Sequence, residues 1–513
     1  MDKTLFSYTR QFLSGTLLSR LSGFFRDVSM AFAFGDIAEV ASLILAYRLC
    51  MLLRRILGEG SMQSAFIPGY QTIKEKDNVQ ALAFFKHILW RWLIGVSGLC
   101  MVLGLLFFYL KPFFNKEWSQ VIDLVVRLLP SLICIIGYTI FQAFLQCHGK
   151  YFTASLAPTV SNLSWGIGCI LLQGLDPYIA MQKASVFICV GLLLQWLVLF
   201  PETNKLLPKG FFKNIPKKID TSSYGFNFFQ AVALAAIGIS ATQINSALDG
   251  IFAKFADPKG PIHLWFSIRI QQLPLALLSI GLISAASPKL CQLIATDKKE
   301  EAKELCSSVA SKLSIMMMFI TCGIICVGDQ IIRLLFQHGL FSESATFQTH
   351  FCLIAYMIGL VPTSLATIYA SFFYAMKDYK KPSIASVYCL IANLILNALM
   401  VFVFHWGSWS VAASTSLCSF FNAYLLKRSL ASHDLFTSRP VYKTVCPYIS
   451  ALMTMSLVFL LKPFIPVLNP LVHLSVLSLC YLTLYALICK MMRYNDPFEL
   501  VSAFIPVKSQ PVA

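Results

Sequence analysis

The stretch Ser19-Arg20-Leu21-Ser22-Gly23-Phe24-Phe25-Arg26-Asp27 decides the fold. It lies inside an apolar run covering residues 6–34, and about 20 such residues are enough for a helix to cross a bilayer. An arginine within such a run costs about 3 kcal/mol to insert and is kept where it faces a partner, the bundle interior or a water-filled cavity. Arg20 and Arg26 are six residues apart, so at about 100° per residue they diverge on a straight helix. Gly23 lies between them, where a bend would turn both toward one cavity. Ser19, Ser22 and Arg26 share a face without any bend.

The rest of the chain is of the same kind. Of 513 residues, 57% are apolar and 13% charged, and the mean hydropathy is +0.70. This is an integral membrane protein. The net charge of +17 is spread between apolar runs; a nucleic-acid surface needs clustered basic patches, so none is expected. The first apolar run is too long for a cleavable signal peptide and carries the arginines. Sixteen cysteines show no paired framework and mostly lie within the runs, as small buried residues with no disulfide or zinc role.

Working outward, the apolar runs are 6–34, 40–57, 84–109, 122–145, 154–172, 184–200, 231–252, 264–284, 313–327, 351–375, 384–404, 409–426, 448–461 and 471–487. The expected fold is all-α with about fourteen transmembrane helices by the length rule. With the N-terminus in the cytoplasm, inner loops gather Lys74, Lys76, Lys150, the lysines of 205–218, 289–303 and 377–381, and Lys427, Arg428, Arg439 and Lys443. Outer loops hold only Lys111, Lys116, Lys254 and Lys259, beside Asp36, Glu39, Asp176 and Glu343. That asymmetry places both termini inside. The expected domains are an N-terminal lobe of six helices (1–200), a basic cytoplasmic linker (201–223), a C-terminal lobe (224–431), and two last helices with a cytoplasmic tail (432–513). A weak internal echo pairs Ala46-Tyr47-Arg48-Leu49 with Ser267-Ile268-Arg269-Ile270, and Gly60 and Ala65 with Gly281 and Ala286 at the same offset. If real, it means parallel repeats, and transporters commonly bind substrate between such repeats.

Several residues invite a functional reading beside a structural one. Arg54 and Arg55 end the second run; they either anchor the helix at the interface or capture a phosphate with bidentate guanidinium groups. Glu59, in Gly58-Glu59-Gly60, is compatible with a hinge or gate. Arg48 and Arg269 lie eight and five residues from the outer ends of their runs, roughly 12 and 8 Å deep at 1.5 Å per residue. Four arginines against two intramembrane carboxylates, Asp27 and Asp249, favour an anion-binding cavity over structural ion pairs. Asp249 with Asn393, Asn397, Val411 and Thr415 supplies oxygen ligands suited to a hard cation such as sodium; the same groups serve equally as hydrogen bonds between packed helices. Pro158, Asn162 and Pro274 are candidate kinks, with Asn162 able to satisfy freed backbone groups. No ATP-binding pattern and no metalloprotease, prenyltransferase or Gly-x-Ser-x-Gly signature occurs.

At this point the residues resemble a family. Ser-Arg-x-x-Gly-x-x-Arg-Asp at residues 19–27, Phe34-Gly35, Leu-Leu-Arg-Arg-Ile-x-x-Glu-Gly at 52–60 and Ala65-Phe66-Ile67-Pro68 are similar to the MurJ (MviN) lipid II flippases. Ala157-Pro158-Thr159 with Asn162, Arg269 with Pro274, and Phe336-Gln337-His338-Gly339 resemble later family positions. The resemblance implies a multidrug/oligosaccharidyl-lipid/polysaccharide exporter fold: two six-helix lobes around a central cavity, plus two C-terminal helices forming a groove for the lipid tail. It implies a non-enzymatic protein of the bacterial inner membrane that flips undecaprenyl-pyrophosphate-linked peptidoglycan precursor. The implied partners are lipid II and membrane lipids, the implied state is a monomer, and no cofactor is implied beyond a sodium ion. The family's cavity arginines carry over to Arg20, Arg26, Arg54 and Arg269, with Ser19 and Asp27 beside them. Arg48 stands where the family has a basic residue, and the family's sodium site maps onto Asp249, Asn393, Asn397, Val411 and Thr415. Ala41-Ser42, Cys50-Met51 and Ile268 depart from the family's pattern; two of these losses remove acids and one removes a hinge. Two rivals stay open from sequence: a related exporter of drugs or another oligosaccharide-lipid, although an arginine-rich cavity argues against cationic cargo, and a membrane-embedded glycosyl or prenyl transferase, which needs carboxylates and a metal.

Overall fold

The computed structural model describes residues 3–59, 61–208, 210–211, 228–376, 378–431, 441–465 and 469–492. The basic linker beyond residue 211 and the tail beyond 492 lie outside them. Every regular element among the described residues is helical. In chain order these are α1 (Lys3–Phe34), α2 (Ala38–Arg54), α3 (Ser61–Lys76), α4 (Asn78–Leu110), α5 (Lys116–Leu128), α6 (Pro130–Cys147), α7 (Tyr151–Leu156), α8 (Pro158–Leu171), α9 (Pro177–Leu197) and α10 (Phe200–Leu206). After the linker come α11 (Phe228–Ala256), α12 (Gly260–Pro274), α13 (Ile280–Ala295), α14 (Lys299–Phe336), α15 (Glu343–Ile358), α16 (Leu360–Ala375), α17 (Lys380–Ala398), α18 (Trp409–Ala431), α19 (Val441–Leu461) and α20 (Pro470–Met491).

Each expected apolar run falls on helix, to within a residue or two at its ends. Among the described residues, eight helical segments are long and apolar enough to span by themselves, or nine if α15 and α16, bent by 43°, count as one span. Local chemistry sets the breaks. Proline at the first helical position opens α6, α8, α9 and α20, where its missing N–H has no bond to lose. Pro158 therefore divides the fifth run into α7 and α8. Asp77, Asn115, Asp176 and Asn469 each accept a backbone N–H from the first turn of the helix that follows.

The chain forms two compact units, Met1–Lys254 with His338–Ser342, and Phe255–Gln337 with Glu343–Ala513. In the first, one end is an aromatic core in which Phe66, Tyr70, Phe84, Phe85 and Phe144 are fully buried. Phe85 stacks on Phe144 at 4.4 Å and Phe66 on Phe84 at 5.5 Å. The segment His338–Ser342 is clasped to the end of α1: Leu340 N–H donates to Phe32 O at 3.1 Å, and Ser342 Oγ to Asp36 at 3.2 Å. Gly35 and Gly339 have φ of +63° and +62°, and a Cβ on either would strike backbone of the other strand of the clasp. Only glycine fits both conditions. That gives the Phe34-Gly35 and His338-Gly339 motifs a mechanical reason.

In the second unit, α19 and α20 are pinned to α14. Lys462 Nζ lies 2.8 Å from Asp329 and 3.2 Å from Cys326 O. Tyr481 donates to Phe319 O at 2.7 Å, beside a buried seam of Cys322, Cys326, Leu477 and Cys489.

Two π turns carry the internal echo into structure. Arg55–Glu59 follows α2, and Leu275–Ser279 follows α12. Both lie 220 residues apart at either end, within one residue of the Arg48–Arg269 offset. Such turns loosen the regular ladder and recur at functional sites. The first holds Gly58 and Glu59, and the second directly follows Pro274.

Candidate substrate-binding site

The site of the first unit is built where α1 crosses α8. Gly166 lets the two approach, since a Cβ there would lie 3.2 Å from Arg26 Cα. Arg26 and Asp27 are both buried. Arg26 donates from Nε at 2.9 Å and from Nη2 at 2.7 Å, both to Asp27 Oδ1. Its Nη1 donates to Asn162 Oδ1 at 3.0 Å. The guanidinium lies over the Trp165 ring, 4.8 Å from its centroid, and that ring meets Tyr47 edge-on at 4.7 Å. Asn162 closes the network by donating to Ser19 O at 3.1 Å and Ser22 Oγ at 3.2 Å. The charge is thus neutralised by one acid, oriented by one amide and backed by one aromatic face, which also attracts a cation.

Of the two intramembrane acids set against the arginines, Asp27 pairs with Arg26, and one sequence-based expectation changes here. Asn162 was read as a partner for backbone freed at a kink in its own helix; its side chain instead bridges Arg26 to α1. Arg48 Nη1 lies 3.7 Å from where a Cβ on Gly250, the residue after Asp249, would be.

The other residues sort by unit. Arg20 is exposed on the first unit, and α1 runs unbroken through Gly23. Arg54 is buried at the end of α2, its Nη1 3.2 Å from Met51 Sδ, while exposed Arg55 donates to Gln243 at 2.8 Å. Glu59 is the last residue of the first π turn. In the second unit, the Arg269 guanidinium lies over Trp265, 4.3 Å from the ring centroid. Pro274 ends the same helix. Asn393 Oδ1 accepts from Ser414 Oγ at 2.6 Å, and Thr415 Oγ1 donates to Val411 O at 3.1 Å. Asn393, Asn397 and Val411 are fully buried. The one acid of the expected shell, Asp249, belongs to the first unit.

Sequence reading missed the tryptophans. Trp165 and Trp265 each back an arginine. A signal was available for both: Trp265 precedes Arg269 by four residues on one helical face, and Trp165 follows Asn162 by three.

Long apolar helices that carry a buried arginine, Arg26, over Trp165 and a half-buried one, Arg269, over Trp265 mark a polytopic membrane protein. Among solved structures the fold is similar to "Inward-facing conformation of a multidrug resistance MATE family transporter of the MOP superfamily", at 12% identity and a TM-score of 0.61, covering 85% of this chain and 95% of that one. It is more similar to "Lipid II flippase MurJ, inward closed conformation", with a TM-score of 0.77 at 21% identity over 95% of this chain and 99% of that one. The sequence profile described as "Lipid II flippase MurJ" matches residues 30–496, and the chain belongs to the lipid II flippase MurJ family. The "Probable lipid II flippase MurJ" of Chlamydia trachomatis serovar D is 29% identical over 401 residues, which is 75% of this chain and 71% of the relative. That of Aquifex aeolicus is 25% identical over 429 residues, 81% of each chain.

Proposed function

We propose that this protein moves lipid II, the undecaprenyl-pyrophosphate-linked peptidoglycan precursor, from the inner to the outer leaflet of the bacterial inner membrane by alternating access. The observation that carries the reading is Arg26, buried in a membrane-spanning chain of this family and held by Asp27 and Asn162 over Trp165. A pyrophosphate offers the guanidinium the same oxygen chemistry as Asp27. Binding is then an exchange of one anionic partner for another, so the charge is never left bare. Arg269, backed by Trp265, is the corresponding group of the second unit, and Ser19, Arg20, Arg48 and Arg54 supply further polar contacts. No covalent bond changes. Both termini are taken as cytoplasmic from the distribution of Lys and Arg, and the protein is taken as a monomer without nucleic-acid partners.

Sodium remains part of the proposal as the coupling ion. Asp249, Asn393, Asn397, Thr415 and the Val411 carbonyl would hold it, and the ion would offset the single acid's charge. It could drive transport only by binding one conformation more tightly than another. The test of the main reading is complementation: depletion of an essential lipid II flippase in a host bacterium, with this chain expressed and lipid II translocation measured. Restored translocation supports the reading; a membrane-inserted chain that restores none refutes it.

A further inference from the structure

The tetrapeptide Leu-Lys-Pro-Phe occurs twice, at residues 110–113 and 461–464, once in each unit. Both copies close an apolar segment: Asn78–Phe113 and Val445–Phe464 are each long and apolar enough to span. Both also fold the same way. Proline interrupts the α-helix, and Lys111–Phe113 and Lys462–Phe464 each form one tight helical turn. Phe114 N–H donates to Lys111 O at 3.2 Å, and Ile465 N–H to Lys462 O at 3.3 Å. The leucine before each turn has φ, ψ of −79°, −25° in the first copy and −82°, −27° in the second.

The side chains repeat as well. Lys111 Nζ lies 2.7 Å from Asp123 on α5, whose other oxygen accepts from Tyr178 at 2.7 Å. Lys462 Nζ lies 2.8 Å from Asp329 on α14. A lysine at the end of a spanning helix ordinarily snorkels toward water; here each ammonium is folded back onto an acid of a neighbouring helix. The phenylalanines turn outward. Phe113 is 85% exposed and Phe464 83%. Each ring ends a bare apolar stripe, formed by Met101, Leu105 and Phe108 on α4 and by Met453, Leu457 and Leu460 on α19. Phenylalanine has no polar tip to keep it at the water side of an interface, so it gains by entering the acyl side.

We propose that the two Lys-Pro-Phe turns are membrane pegs: Phe113 and Phe464 sit among the first acyl carbons of the leaflet their helices enter, and each lysine–aspartate pair holds its peg down. Two features commit this surface to lipid. The bare ring continues the stripe of a spanning segment. The charge of each turn is already matched inside the protein, so no ammonium has to be carried back to water when the turn stays in the boundary. The leaflet is the outer one in the orientation proposed above, because α4 and α19 both start beside inner basic residues. Lipid contact itself depends neither on that orientation nor on lipid II as cargo.

The test uses the full chain in phospholipid vesicles, with the photoreactive analogue p-benzoylphenylalanine in place of Phe113, of Phe464 or, as a control, of exposed Glu300 at the start of α14. After irradiation, mass spectrometry reads the adducts. Positions 113 and 464 should each carry a phospholipid, and position 300 none. Asp123→Asn frees Lys111 to turn to water and should cut the adduct at 113 about threefold, the effect of a partly exposed ion pair. The adduct at 464 should stay the same in that variant, which shows that the chain is inserted and folded. Asp329→Asn should do the reverse. No phospholipid at 113 or 464, or as much at 300 as at either, would overturn the proposal. So would a cross-link from either ring to a second copy of the chain. An adduct at 113 that Asp123→Asn leaves unchanged would overturn the part given to the ion pair.

Discussion

Asp27→Asn is the sharpest single probe of the first unit. The carboxylate takes two N–H donors of Arg26, and both side chains are almost wholly buried, at 7% and 3% exposure. Asparagine keeps the shape and removes the charge, so the guanidinium is left with Asn162 and the Trp165 face. Breaking a buried pair from one side costs about 3–5 kcal/mol, because the remaining charge stays out of water. The Lys111–Asp123 pair is the internal control: its side chains are 38% and 25% exposed, and Lys111→Gln should lose no more than about 1 kcal/mol. Unfolding free energies of the full chain in mixed detergent micelles make the comparison. The double variant Arg26→Leu/Asp27→Leu should be more stable than Asp27→Asn, since it removes the charge with its partner. If Asp27→Asn loses no more than Lys111→Gln, or the double variant loses the sum of both singles, Arg26 is not a buried charge that depends on Asp27.

Three further outcomes follow from the structure. Gly339→Ala should loosen the clasp on α1 by at least the 1–2 kcal/mol of a left-handed residue bearing a Cβ, because φ is +62° there and Phe32 stands in the way; proteolysis or hydrogen exchange at residues 32–36 reads the loss, and unchanged protection there would count against the clasp. In the loop between α11 and α12, burial alone would raise the Asp257 carboxyl, but the His263 ring 3.5 Å away, a hydrogen bond from the Lys259 N–H and nearby positive charge hold it below the usual carboxylate range. Its contribution to stability is therefore present above about pH 4 and is lost as pH falls through the depressed value; Asp257→Asn should flatten that acid limb of the melting profile, and an unchanged limb would contradict it. Sodium should stabilise the wild-type protein against heat and leave Asp249→Asn unaffected; if it alters neither, the oxygen groups of α17 and α18 are packing contacts.

Much of the architecture was legible because bilayer length and backbone satisfaction leave few choices: apolar runs of span length must be helices. Gly58, Glu59 and Pro274 stood out in the sequence, and a π turn holds the first two and follows the third. What could not be read was partnership across helices. No spacing in the sequence says that Asn162 meets Arg26, 136 residues earlier, or that Arg48 lies along Gly250. Those contacts depend on which faces of α1, α2, α8 and α11 meet. The clasp of His338–Ser342 on α1 was hidden for the same reason, although its two glycines stood out as motifs.

The central claim is that Arg26, buried over Trp165, and Arg269, half-buried over Trp265, bind the pyrophosphate of a lipid-linked cargo. The most direct measurement is flipping of labelled lipid II in proteoliposomes of defined composition, with wild type, Arg26→Ala, Arg26→Lys and Arg269→Ala inserted at equal density. Wild type should translocate lipid II, both alanine variants should translocate none, and lysine should rescue poorly, because it lacks the planar fork that matches pyrophosphate oxygens. Alanine variants that flip lipid II at the wild-type rate would contradict it.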